Sequence, residues 1–430
     1  MGMDVTMEGL GNRLIFTFHL DDDDGDFEGR IHMEKNIFSI TLPPDCLSRD
    51  VHPDHAALIA ILAAHPFVGK RLSFQWPISQ QFSERMSVFT RYSIHSVSGH
   101  VEQYTARMRS RPALAFSGGV DSTAALLLMP KSTLSVFLNR PQSAERTSLY
   151  NKSAAIAIQK QLFAAGFDVQ SIECDIEYIR NPIGFPTDLA PSIPLIALAS
   201  QLNVDSIGFG MVMESAYRIG HDRSRNYSDS NHYKTWGVLF EAAGLPLYLP
   251  VAGLSEVMTS LIVNQSPYRT YSKSCIRGEF PKSCNNCWKC FRKNLITARL
   301  ENTIISELEF KKWLNVKEVK FKLQKWPISH ENVLSWSIKG GNMKGKSYQL
   351  LLDRMEGSAR ELNCLEQWLS ISSELFPEKY REDTIERILS FTSAMNESDT
   401  TSLISHTMMP WLDLPQAQAA RDKFNLEFLN

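Results

Sequence analysis

The stretch Ala113-Leu114-Ala115-Phe116-Ser117-Gly118-Gly119-Val120-Asp121-Ser122-Thr123-Ala124-Ala125-Leu126-Leu127-Leu128 decides the reading of this chain. It opens with a short apolar strand, Ala113–Phe116. It then turns on a glycine pair and closes with an apolar helix over Ser122–Met129. Two glycines allow backbone N–H groups to turn inward and approach an anion closely. The helix that starts beside them adds its positive end. Ser117 and Ser122 bring hydroxyls. Asp121 would repel a phosphate, so it is expected to hold Mg2+ or to fix the loop. A glycine pair alone marks only a strand-to-helix turn. The whole hexapeptide Ser117–Ser122, set between strand and helix, is the specific signal. It lacks the Gly-Lys-Ser/Thr ending of a Walker A loop.

Strand and helix alternate on both sides of this loop. Leu134–Leu138 reads as the next strand, and Ser148–Ala165 as a helix stopped by Gly166. Val169–Cys174 is a third strand, Pro194–Leu202 a helix and Ser206–Phe209 a fourth strand. This rhythm predicts an α/β fold with a doubly wound parallel sheet over residues 111–300. Ligands of such sheets sit beyond the carboxyl ends of the strands. Residues 1–110 form an accessory α/β region. Arg13–Leu20 and Ile31–Leu42 alternate as strands around the acidic turn Asp21–Asp26, which reads as a solvated loop. His55–Ala64 is a short apolar helix and Leu72–Trp76 a strand. Residues 301–430 carry helical spacing (Leu350, Leu351, Met355; Ile385, Ile388, Leu389) and predict a helical region for substrate closure, a partner or a dimer. Gly340, Gly341 and Gly345 mark an exposed loop. No internal repeat or low-complexity tract is present.

The chain has 430 residues, enough for two or three domains. A net charge of -2 does not call for nucleic acid or an anionic membrane. No apolar run reaches membrane-spanning length, and the first twenty residues do not resemble a signal peptide, so a cytoplasmic location is expected. Of seven cysteines, four fall in the run Cys275, Cys284, Cys287 and Cys290. The spacing C-x8-C-x2-C-x2-C can surround one tetrahedral Zn2+ and leave no open coordination position, which makes the site structural. An iron–sulfur cluster is the other ion chemistry open to such spacing. Cys46, Cys174 and Cys364 are isolated.

Taken together, the Ser117–Ser122 loop and the later cysteine run resemble the 7-cyano-7-deazaguanine synthase (QueC) family of PP-loop ATP pyrophosphatases. The resemblance covers residues 111–300. Ser274-Cys275-x-x-Gly278 and the following three cysteines match that family's zinc loop in order, and Leu254-Ser255-Glu256 matches the start of the helix ahead of it. The resemblance implies that Ser117, Gly118, Gly119, Val120, Asp121 and Ser122 bind ATP, with Asp121 and Ser117 in catalytic roles. It also implies Mg2+ with the nucleotide and Zn2+ on the four cysteines. The implied reaction adenylates a carboxylate, releases pyrophosphate and transfers the acyl group to ammonia or an amine. Before the zinc loop the family carries a Tyr-Pro-Asp-Cys-Arg segment. Here only Tyr227 and Asp229 survive of it, so the acid need not be 7-carboxy-7-deazaguanine itself. Extended relatives of this kind occur in bacterial anti-phage operons, where they resemble enzymes that attach a deazapurine to a protein partner. A tRNA sulfurtransferase, a sugar amidotransferase or a nucleotide-binding assembly component are the other readings of the same loop.

Two basic clusters remain. Arg218, His221, Arg223 and Arg225 crowd the polar segment Tyr217–Tyr233, expected to lie as a lid over substrate. Lys273, Arg277, Lys282, Lys289, Arg292 and Lys293 ring the cysteines and read chiefly as solvated charges.

Overall fold

A computed structural model describes residues 2–86, 91–142, 150–343 and 345–428. Residues 148 and 149, expected to open the helix after the second parallel strand, lie outside the described residues, as does residue 344. Thirteen strands occur among the described residues. They are β1 (Met3–Leu10), β2 (Arg13–His19), β3 (Asp26–Phe27), β4 (Ile31–Met33), β5 (Ile37–Thr41), β6 (Arg71–Phe74), β7 (Ser93–Ser96), β8 (Arg111–Ala115), β9 (Leu134–Asn139), β10 (Asp168–Cys174), β11 (Arg180–Asn181), β12 (Val204–Gly208) and β13 (Leu247–Tyr248).

Ten strands make one sheet in the order β13-β12-β8-β9-β10-β5-β2-β1-β6-β7. Its neighbours are parallel from β13 to β10 and again from β1 to β7. The contacts β10–β5, β5–β2 and β2–β1 are antiparallel. The protein is therefore α/β with a large, mostly parallel sheet. The expected parallel core is one part of it, because β5 pairs with β10 and joins strands from residues 1–110 to strands from residues 111–300. Period-2 burial explains the antiparallel part. Leu14, Phe16 and Phe18 of β2 and Phe38 and Ile40 of β5 point to the core, and Phe16 stacks on Phe38 at 5.1 Å.

Within the parallel part, chain order runs outward one way from β8 to β9 and β10, and the other way from β8 to β12 and β13. The order therefore reverses between β8 and β12, a switch point of the kind where α/β sheets open a crevice at their carboxyl edge. The helix Val120–Leu128 follows β8, and Ser153–Ala164 links β9 to β10. The apolar helix Pro53–Ala64 is buried along nearly its whole length and packs against Ile193–Ala199.

Helices fill the C-terminal region. Trp288–Leu300, Glu307–Leu314, Glu331–Gly340, Lys346–Asp353 and Pro415–Phe428 enclose a second core around Phe291, Phe310, Leu334, Leu351 and Phe424. The helix Glu378–Leu389 instead joins the sheet's core. Its Tyr380 stacks on Tyr248 at 5.7 Å and donates a hydrogen bond to Asp205 Oδ2 at 2.7 Å. Gly340 closes the helix Glu331–Gly340 where a loop was expected to begin. No helix among the described residues is long and apolar enough to cross a membrane.

Candidate active site

The glycine loop leaves β8 at the switch point. Gly118 has φ +76°, a left-handed conformation that penalises a side chain, and a Cβ there would come within 3.1 Å of Ala155 Cα and Ile158 Cγ2. The loop thus presses against the helix Ser153–Ala164. Gly210, just past β12, is equally confined, since its Cβ would lie 2.7 Å from the Ser122 amide nitrogen. Gly210 thus lets the end of β12 lie against the start of the loop's helix, as Gly118 lets the loop lie against the helix Ser153–Ala164.

Short polar contacts fix the loop. Ser117 and Ser122 hydroxyls lie 2.9 Å apart, and Ser122 and Thr123 hydroxyls donate to the Gly119 carbonyl. The Gly119 N–H reaches Ser117 Oγ at 3.3 Å and the Val120 N–H reaches Ser274 Oγ at 3.4 Å. Both bonds are long, and the Gly119 bond, made within the loop itself, is one that a better acceptor can displace. Asp121 sits in the first turn of the helix. Its Oδ1 accepts from Thr259 Oγ1 at 2.8 Å and from Lys293 Nζ at 3.2 Å.

Beyond the carboxyl ends of β8, β9 and β12 lies a cleft of about 950 Å³, within the range of small-molecule sites. Ser117, Gly119, Asp121 and Ser122 line one side. Arg140, Lys273, Arg277 and Lys289 bring cations, and Tyr150, Ile183, Phe185 and Ile276 form an apolar wall. Arg140 is held in place. Its Nη1 donates to Glu177 Oε2 at 2.9 Å, and its guanidinium lies 4.1 Å from the Tyr150 ring centre and 4.7 Å from that of Phe185. Burial pushes the Lys273 ammonium below its ordinary range. Arg140 carried no spacing signal in the sequence. Of the collar around the cysteines, Lys273, Arg277 and Lys289 line this cleft rather than standing free in solvent.

Behind the loop lies a buried charge cluster. Glu256 opens the helix Glu256–Asn264, which Ser255 caps, and it faces Arg292 at 2.9 Å, His330 at 3.4 Å and Lys293 at 3.7 Å. Burial alone would raise its carboxyl, but Arg292 and Lys293 bring it below the ordinary range. Glu214 receives the Glu256 N–H and the Asn332 amide, and burial with the Glu256 charge beside it pushes it up to about 8. The two neighbouring acids are thus shifted in opposite directions, Glu214 upward and Glu256 downward.

The four cysteines come together as their spacing suggested. The Sγ atoms of Cys275, Cys284, Cys287 and Cys290 all lie within 4.8 Å of one another, and those of Cys284 and Cys290 are 3.7 Å apart. Tetrahedral thiolates around zinc would stand ~3.8 Å apart. N–H groups of Cys284, Asn286 and Cys290 point at three of the sulfurs. The cluster could hold a metal ion such as zinc. Cys287 also caps the helix Trp288–Leu300, so the cluster sets where that helix begins.

The segment expected as a lid lies elsewhere. Arg218 pairs with Asp222, and Arg225 donates to the Ala216 carbonyl. Arg218 and His221 line a separate cleft of about 620 Å³ with Trp326, Met409 and Arg421 of the C-terminal region. Tyr227 is buried, its hydroxyl on His232 Nδ1 at 2.8 Å, and Asp229 accepts from Asn226. Neither lines the cleft at the glycine loop.

The fold and the site together define an α/β protein with a glycine loop at its switch point and a four-cysteine cluster beside it. Residues 235–406 match a family of unknown function (DUF6395). That span includes the cysteines, Glu256, Arg292 and Lys293, and leaves the glycine loop outside. No curated protein and no solved structure matches the chain.

Proposed function

We propose that this chain is an ATP-dependent carbon–nitrogen ligase of the PP-loop, QueC-like kind. It adenylates a carboxylate (7-carboxy-7-deazaguanine or a related acid) and passes the acyl group to ammonia or to an amine. The observation that carries the reading is the Ser117–Ser122 loop at the switch point, facing a cleft with four cationic side chains. In this reading the amides of Gly118 and Gly119, with the Ser117 and Ser122 hydroxyls, receive the β- and γ-phosphates of ATP, replacing the long bond from Gly119 to Ser117, while the Val120 N–H stays on Ser274 and keeps the loop in shape. Arg140, Lys273 and Lys289 balance the remaining charge. The carboxylate oxygen attacks the α-phosphorus, the bond from the α-phosphorus to the α,β-bridging oxygen breaks, and pyrophosphate departs on the loop. The amine then attacks the acyl carbon, AMP leaves, and the surplus amine proton goes to solvent.

Asp121 acts here mainly by position. Its bonds to Thr259 and Lys293 tie the start of the loop's helix to the two helices behind it. Mg2+ arriving with ATP would supply further charge neutralisation, and Asp121, the one carboxylate in the Ser117–Ser122 stretch, would be the loop's ligand for it. The four cysteines suit Zn2+ in a closed, structural site. The amine donor is ammonia, a small amine or an amine on a partner protein. A role in anti-phage defence belongs to the same proposal and rests on the family resemblance alone.

The test is the nucleotide product. Purified protein is given MgATP, ammonium and 7-carboxy-7-deazaguanine, and AMP is resolved from ADP. AMP with pyrophosphate is expected, and Asp121→Ala should fold yet lose it. ADP in place of AMP, or full turnover by Asp121→Ala, would refute this account.

A further inference from the structure

We propose that the cysteine cluster governs the glycine loop through two positioning residues, Ser272 and Ser274. A metal ion that fixes Cys275 holds both hydroxyls against the loop and thereby sets its affinity for nucleotide. The inference rests on the nucleotide reading above and adds a coupling to it.

Ser274 directly precedes Cys275, and its Oγ accepts the Val120 N–H of the loop. Its Cα lies 3.7 Å from where a Cβ on Gly119 would stand, so the two backbones are in contact. Ser272 is 4% exposed and donates to Thr123 Oγ1 at 3.0 Å, and Thr123 in turn donates to the Gly119 carbonyl at 2.9 Å. On the far side of Cys275, the Ile276 carbonyl accepts the Asn151 N–H at 2.7 Å, and the Phe280 N–H reaches Ser153 Oγ at 2.8 Å. These bonds anchor the cysteine segment to the start of the helix against which Gly118 packs.

Residues 272–287 form no helix or strand. No backbone ladder holds Ser274 in place, and the cross-link among the four sulfurs supplies a constraint at the very next residue, while Ser272 is tied as well by its own N–H to the Tyr268 carbonyl at 2.9 Å. A metal that closes such a segment contributes ordering free energy where the chain itself supplies little. Without the ion, Ser272 and Ser274 lose part of what aims them, Ser274 most of all, and the amides of the loop become freer with them.

The experiment uses the full chain with a non-hydrolysable probe, α,β-methylene-ATP. Affinity is measured for wild type, Ser274→Ala, Ser274→Thr and Ser272→Ala, each metal-loaded and after chelation, together with metal content and amide hydrogen exchange at residues 118–123. Metal-loaded Ser274→Ala is expected to keep its metal and bind the probe about three- to tenfold more weakly, the worth of one hydrogen bond. Ser274→Thr should bind like wild type. Chelation should weaken wild type at least as much, yet weaken Ser274→Ala by less than it weakens wild type, because both changes remove one linkage. Exchange at Gly119 and Val120 should rise in each weakened form.

Fully additive effects of chelation and Ser274→Ala would overturn the proposal. So would loop exchange unmoved in the metal-loaded alanine variants, a comparison that holds even if the chelated chain unfolds. Wild type that fails to bind the probe would refute the nucleotide reading separately, and loop exchange would still decide the coupling.

Discussion

Arg292→Met tests the buried charge cluster that supports the glycine loop from behind. Arg292 and Glu256 are 6% and 5% exposed and 2.9 Å apart. Removing Arg292 takes away the nearer partner of a buried carboxylate and leaves Lys293 at 3.7 Å as its remaining cation. The cost near neutral pH therefore approaches but does not exceed the ~3–5 kcal/mol of a fully broken buried pair. That is a large share of the ~5–15 kcal/mol that holds a typical domain together. The pH dependence gives the mechanism away. In the wild type Glu256 is held below its ordinary value, so its stabilising share is complete above about pH 4.5 and is lost only as pH falls through the lowered value. In the variant, burial acts with less opposition and the carboxyl moves upward. A raised carboxyl costs stability as pH climbs past its unfolded value. His330, held well below its normal range by burial and by Arg292, becomes easier to protonate and can stand in for the lost cation in acid. The deficit should therefore be greatest at pH 7–8 and shrink toward pH 5. Urea unfolding followed by circular dichroism at several pH values measures it. A deficit below about 1 kcal/mol at pH 7, or one that is flat across this range, would refute the reasoning. Adding Glu256→Gln to Arg292→Met should recover part of the loss, since no bare carboxylate then remains.

Two further perturbations act on the site. Gly118→Ala places a Cβ at φ +76° and 3.1 Å from the helix Ser153–Ala164. The left-handed backbone costs about 1–2 kcal/mol and the overlap about 1–3 kcal/mol, so denaturant unfolding should show a loss of a few kcal/mol, and an unchanged midpoint would contradict the geometry. Cys287→Ala should abolish metal binding and disorder residues 270–300, because it removes both a ligand and the cap of the helix Trp288–Leu300. Elemental analysis of wild type should give one zinc per chain, and a wild type free of bound metal would remove the basis for this expectation.

The sequence was most legible where chemistry and chain are local. The strand, glycine turn and helix around Ser117–Ser122 follow from neighbouring residues, and the cysteine cluster follows from spacing within one segment. Ser255, the cap of the helix Glu256–Asn264, is legible for the same reason, since a serine before a run of apolar residues is a local helix-start signal. The remainder depends on long-range contacts that no short pattern encodes. β1, β7 and β13 escape notice because they are short or half exposed, and Met3 and Val5 alone mark the buried face of β1. Arg140 and Lys289 are ordinary cations until the fold brings the end of β9 and the cysteine segment to the same cleft. Glu256 and Arg292 are 36 residues apart in sequence, and nothing in either segment announces that they meet. Arg218–Arg225 misled for the opposite reason. A dense basic run invites a reading as a lid, whereas tertiary packing sets it among C-terminal side chains around a different cleft.

The pairing between β5 and β10 bears on what residues 1–110 contribute. A three-stranded sheet, β11-β4-β3, lies beside the main one. Its β11 pairs with β4 through Arg180↔Met33 and Asn181↔His32, and the Ile179 carbonyl accepts the N–H groups of Glu34 and Lys35. The Asn181 amide also donates to Glu34 Oε2 at 3.2 Å. Asn181, Pro182, Ile183, Gly184 and Phe185 continue from this pairing and form one wall of the cleft at the glycine loop. Phe185 in turn covers one face of Arg140. The N-terminal residues are thus part of what shapes the site. They brace the wall opposite the loop, as the cysteine segment braces the loop side. The lining stretches 182–185 and 273–277 form no helix or strand, and each is held by an element remote from it in sequence.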